Sequence, residues 1–131
     1  AEVLEQHLSA SIITDGRIKE LHYGEWEDRH LSTLPQDQLV HWKANFVEQS
    51  CPGGETFRQL YNRCLSFISD LRKTREEDII VVTHSGVIRA LLSHYLNIPL
   101  EHIFSFDIAF GSISQILLKE DGKSIVKCVN L

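Results

Sequence analysis

The sequence has 131 residues, 43% of them apolar, with 13 Lys and Arg against 18 Asp and Glu for a formal net charge of -5. That length suits one domain with a sizeable core, the negative balance removes the general attraction that drives nucleic-acid binding, and no apolar run reaches the roughly 18–20 residues of a membrane span. The expectation is a single domain over residues 1–131, cytoplasmic, with neither nucleic acid nor membrane as partner. Its cysteines, Cys51, Cys64 and Cys128, lack C-x-x-C spacing, so neither a disulfide framework nor a zinc site is indicated.

In chain order, AEVLEQHL reads as the middle of a helix, and SIIT (Ser11 to Thr14) as a short strand closed by the turn dipeptide Asp15-Gly16. Ile18 to His30 follows neither the helical nor the strand period and reads as an ordered loop. A helix is expected from Pro35 to about Glu48 with Leu39, Trp42 and Phe46 on one side. After the loop VEQSCPGGE comes the clearest helix. Phe57, Leu60, Tyr61, Cys64, Phe67, Ile68 and Leu71 follow the i, i+3, i+4, i+7 rule, and Thr56-x-x-Gln59 makes a capping box. The basic stretch RKTR ends it.

Ile79-Ile80-Val81-Val82-Thr83 is β-branched almost throughout, which predicts a strand buried on both faces. Val87, Ile88, Leu91, Leu92 and Tyr95 then return to helical spacing to about Leu96, with Ser85 available as N-cap and Gly86 to keep the turn tight. Pro99 interrupts, SISQILLK is a strand, and Glu120-Asp121-Gly122-Lys123 turns into a final strand SIVKCV. Helices alternating with strands, then an antiparallel pair, predict an α/β architecture.

Of the seven histidines, His84 alone combines a strand end with a helix start, where open amides favour an anion. A histidine there also serves simply to bond a neighbouring loop. His41 and His94 fall on helices as surface or partly packed residues, and His22 lies in the irregular loop. No histidine pair has metal-ligand spacing. Glu20, Glu25 and Glu27 crowd the same loop, where a carboxyl group near an anion pocket suits general acid work, and composition does not choose among the three.

The motifs KELHYGEWED, SCPGGETF, VVTHSGVIRALL and FGSISQI, in that order and spacing, resemble the histidine phosphatase family, also called phosphoglycerate mutase-like, over essentially the whole chain. The pattern is most similar to that of the α-ribazole phosphatases, and broad-specificity phosphatases of the family carry similar stretches. The resemblance implies a three-layer sheet with helices on both faces. It also implies phosphoryl transfer without metal or other cofactor, through a phosphohistidine, on a small phosphorylated substrate such as α-ribazole 5′-phosphate of cobalamin biosynthesis. Matched motif by motif, His84 is the histidine that cradles the phosphoryl oxygens and Glu20 the acid that protonates the leaving oxygen. Ser85, where many members have glycine, would offer its backbone N–H. Arg89 is expected to brace structure, Glu55 and Thr56 to fix or cap a turn, and Trp26 and Glu27 to pin the loop. Trp42 and Phe46 suit either a pocket wall for an aromatic base or helix core.

The family's nucleophilic histidine, in an Arg-His-Gly motif on an early strand, has no counterpart here, nor has the Ser-x-Leu-x-Arg segment that follows it. The expectation is therefore that the sequence represents the family from the next helix onward, and that these 131 residues alone are inactive. A non-catalytic anion-binding protein without the nucleophile is the alternative.

Overall fold

The computed structural model describes residues 3, 6, 7, 11–74, 76 and 78–131. The opening helix expected over residues 1–8 falls largely outside them, although Val3, Gln6 and His7 are helical. The elements are a 3-10 turn at Gly16–Ile18, two more at Gly24–Trp26 and Leu31–Thr33, helix α1 (Gln36–Asn45), helix α2 (Phe57–Leu71), helix α3 (Ser85–Leu96), a 3-10 segment at Leu100–Ser105, and strands β1 (Gln115–Leu118) and β2 (Ser124–Cys128). The strands pair antiparallel, Leu117 opposite Ile125, with an irregularity between Gln115 and Ile116.

Helix α2 forms where its apolar stripe and its cap agree. The Thr56 side chain accepts from Gln59 N, and the Gln59 side chain accepts from Thr56 N, which completes the expected capping box. Phe57, Leu60, Cys64, Phe67 and Ile68 are buried along one face. Against that face lie Val87, Ala90 and Leu91 of α3, Leu39, Trp42 and Phe46 around α1, and Leu100 and Ile103. A chain of aromatic edges ties the periphery to this core: Trp26 to Trp42 at 5.8 Å, Trp42 to Phe46 at 6.2 Å, and Phe46 to Phe57 at 5.8 Å. Trp26 thus pins its loop as expected, and Glu27 does so through an acceptance from Tyr23 N at 2.9 Å. Helix α3 stops at Asn97, which takes the left-handed conformation at φ 54°.

Two expectations about strands are corrected. Ser11–Thr14 and Ile79–Thr83 join no ladder, since among the described residues only β1 and β2 pair. The β-branched run is not buried on both faces either: Ile80 is 66% and Val82 53% exposed. A strand is made by its neighbours, and none of the described residues pairs with this run in a ladder, so its apolar composition is satisfied only in part, by Val81 against the core. The run is anchored at its end, where the Thr83 hydroxyl donates to Ile18 O at 2.7 Å.

Leu60 is fully buried at the contact of α2 with α3. Replacing it with alanine is expected to lower unfolding free energy by about 2–5 kcal/mol, measured by urea denaturation; a change under about 0.5 kcal/mol would contradict the packing described.

Candidate active site

His84 is the N-cap of α3, extended at φ -118° and ψ 163°, and Ser85 is the first helical residue. This moves the cap one residue upstream of the sequence expectation. The His84 side chain makes no capping hydrogen bond and both residues are exposed. A helix start beginning at such a residue points its first amides outward.

Glu20 reaches this helix start from 66 residues away in the chain. Its Oε2 accepts from Gly86 N at 3.2 Å and its Oε1 accepts from Leu21 N at 2.8 Å. The structure therefore sets the carboxylate on the Gly86 amide, two residues beyond His84 in the chain, and among the described residues no hydrogen bond joins Glu20 to the His84 side chain. Gly86 has a different reason for being glycine than a tight turn. A Cβ there would sit 2.2 Å from Glu20 Oε1, so the carboxylate occupies the space of the missing side chain.

The loop carrying Glu20 is shaped by its neighbours. Gly24 has φ +56°, and a Cβ on it would meet Pro52 O at 2.1 Å, so only glycine lets the loop lie on the Pro-Gly-Gly turn. Across this contact Glu25 N donates to Pro52 O and Glu55 N to His22 O. Glu55 fixes the loop further, its Oε1 accepting from His22 N at 3.0 Å. Arg63, which the sequence reading did not single out, forms the ion pair with Glu55 and donates to the carbonyls of Arg17, Lys19 and Glu20. Its signal was a cation three residues after Leu60 and four before Phe67, on the flank of a buried stripe.

A small cleft of about 30 Å³ opens beside Ser85 and Gly86, walled by Tyr23, Trp42, Phe46 and Arg89. Burial, with the charge of Glu20 adding to it, pushes the Tyr23 phenol up to about 12, so it stands protonated at neutral pH. Arg89 donates to Phe106 O at 2.8 Å and lies over the rings of Phe104 and Phe106, which is the bracing role expected of it. On the far side of Tyr23 and Trp42 a wider cavity of about 240 Å³ is lined by Trp26, Glu27, Leu31 and Leu34. Glu25 and His22 are exposed, and neither reaches the helix start through a hydrogen bond among the described residues. Burial pushes the Cys51 and Cys64 thiols up to about 11, so both are packing residues rather than nucleophiles. Among the described residues no three His, Cys, Asp or Glu cluster as metal ligands, and no helix is long and apolar enough to cross a membrane.

The start of α3, which as a helix N-terminus favours an anion, thus carries the Glu20 carboxylate on its Gly86 amide and His84 at its cap. The histidine phosphatase superfamily (branch 1) matches residues 1–131, and the chain belongs to it. It is similar to the adenosylcobalamin/α-ribazole phosphatase of Escherichia coli K12, 28% identical over 85% of this chain and 61% of that protein. It is also similar to phosphoserine phosphatase 1 of Hydrogenobacter thermophilus, 27% identical over 88% of this chain and 57% of that protein. The chain thus spans about three fifths of the length of these relatives. Among solved structures, the α-ribazole phosphatase of Shigella flexneri superposes with a TM-score of 0.85 at 23% identity, over 98% of this chain and 65% of that one. A mycobacterial glucosyl-3-phosphoglycerate phosphatase in complex with inorganic phosphate gives 0.82 at 19%, over 98% and 69%. These likenesses establish the α/β phosphoglycerate mutase-like fold.

Alanine is the better helix former by about 1 kcal/mol, so Gly86→Ala should stabilise α3 wherever space allows. Here it is expected to cost about 0.5–1.5 kcal/mol, because the methyl displaces the end of the Glu20 side chain and its hydrogen bond from the Gly86 amide is lost. In a Glu20→Ala background the same change should become neutral or stabilising, measured as a double-mutant cycle by urea denaturation. Equal effects in both backgrounds would show that Glu20 does not occupy this space.

Proposed function

We propose that this chain belongs to a metal-independent phosphomonoesterase that works through a phosphohistidine, and that it supplies the acid and part of the phosphoryl cradle. The observation that supports this most is the Glu20 carboxylate on the Gly86 amide, at the helix that His84 caps. In the proposed reaction an imidazole nitrogen attacks phosphorus and the bond from phosphorus to the ester oxygen breaks. Glu20 gives its proton to the departing oxygen while His84 and the Ser85 N–H hold the phosphoryl oxygens. Glu20, now a carboxylate, takes a proton from water as that water attacks phosphorus and the phosphorus–nitrogen bond breaks, returning the histidine and releasing phosphate. The attacking histidine is the one the family places in Arg-His-Gly, a motif these 131 residues do not contain.

For the substrate we propose a small phosphorylated metabolite, with α-ribazole 5′-phosphate first. Tyr23, Trp42 and Phe46 wall the cleft beside Ser85 and Gly86, which offers an aromatic surface next to the proposed phosphate site. A broad-specificity phosphatase would use the same wall without preference. The alternative reading of the same helix start is an anion-binding protein that does not turn over.

The full-length gene product is expected to hydrolyse p-nitrophenyl phosphate and, with higher kcat/KM, α-ribazole 5′-phosphate, both undiminished by EDTA. The 131-residue polypeptide by itself should hydrolyse neither. Activity lost to EDTA and restored by a divalent metal would refute the metal-free reading. Full-length protein that binds phosphate without turnover would establish the anion-binding one.

A further inference from the structure

Arg63 lies on α2, outside the cleft, and its side chain is 22% exposed beside a Glu55 side chain that is 19% exposed. All five N–H directions of its guanidinium are used. Nε donates to Glu55 Oε2 at 3.1 Å and Nη2 to Glu55 Oε1; Nη1 donates to Arg17 O and Lys19 O, each at 2.7 Å, and Nη2 also to Glu20 O at 3.0 Å. Glu55 in turn holds His22 from both sides, through Oε1 to His22 N and its own N–H to His22 O. The backbone is therefore gripped at 17, 19, 20 and 22, before, at and after the residue that carries the carboxylate. Burial works against the Arg63 charge, but its hydrogen bonds to Glu55 and the attraction of that carboxylate outweigh it and hold the group firmly protonated.

Glu20 itself is aimed by two backbone amides, Leu21 N and Gly86 N. One of these belongs to its own loop, so the carboxylate moves with the loop. We propose that Arg63, paired with Glu55, is a positioning residue that sets the height of Glu20 over the start of α3 and so its aim at the leaving oxygen. The proposal rests on Glu20 being the acid of the reaction. Arg63 touches neither substrate nor reacting atoms; it acts through the backbone it holds. Lysine keeps the charge but has one nitrogen and no fork, so it cannot serve Glu55 and three carbonyls at once.

The test uses the leaving group. A p-nitrophenolate departs without a proton, whereas an alkoxide needs one, so misplacing the acid slows an alkyl ester selectively. A merely structural lesion slows both. In the full-length protein, kcat/KM is measured for p-nitrophenyl phosphate and for an alkyl phosphate in Arg63→Lys, Arg63→Gln, Glu55→Gln and Glu20→Gln, each checked for a native circular dichroism spectrum. The expected result is a loss of about a hundredfold on the alkyl ester, against less than about threefold on the aryl ester, in the Arg63 variants as in Glu20→Gln. If Arg63→Gln does not fold, Arg63→Lys and Glu55→Gln carry the test. Glu20→Gln selective but the Arg63 and Glu55 variants unselective would overturn the positioning role alone. Glu20→Gln losing both esters equally would overturn the acid assignment, and the positioning role with it.

Discussion

The fork of Arg63 on Glu55 is the interaction on which the rest of the site depends. One side chain on α2 donates to three carbonyls of a loop that has almost no repeating structure of its own. The partner carboxylate comes from the residue just before the α2 N-cap, so the ion pair, the capping box and the loop share one joint. Arg17 adds a second tie, bonding Asp15 within its own turn and Asp70 near the far end of α2. The loop thus lies along α2, and α2 packs on α3 through Leu60, Cys64 and Val87. A continuous set of contacts runs from the backbone of Glu20 to the helix start on which its carboxylate rests.

At that helix start the chemistry is set by space as much as by charge. The carboxylate fits because residue 86 has no Cβ, and it takes one of the amides that a helix start leaves open. Tyr23, Trp42 and Phe46 close one side, so that a polar helix start stands beside an aromatic wall. Under the proposed function, that pairing of a helix start with an aromatic surface would suit a phosphate ester of an aromatic base.

Much of this was legible in the sequence because it depends on local rules. The i, i+3, i+4 stripe of α2, its Thr56 and Gln59 box, and the turn at Asp121-Gly122 all follow from neighbours in the chain. His84 stood out by its place before a helix start, whereas Glu20 was separated from Glu25 and Glu27 only through the order and spacing of the motifs around it. Ile79–Thr83 misled, because a β-branched run announces a buried strand while burial itself depends on segments elsewhere. Arg63 and the true reason for Gly86 were hidden for a related cause. Each is explained by a contact more than 40 residues away, Arg63 with Glu20 O and Gly86 with Glu20 Oε2, and no periodicity encodes such a contact. The cap at His84 rather than Ser85 is a smaller matter of one residue, decided by where the backbone turns helical.

The most direct measurement of the central claim is a crystal structure of the full-length protein with inorganic phosphate. The account predicts a phosphate at the start of α3, within hydrogen-bonding reach of the His84 side chain and the Ser85 N–H, with Glu20 still on the Gly86 amide and turned toward one phosphate oxygen. A phosphate bound away from the α3 start, or a Glu20 carboxylate facing bulk water with Arg63 and Glu55 still paired, would contradict it.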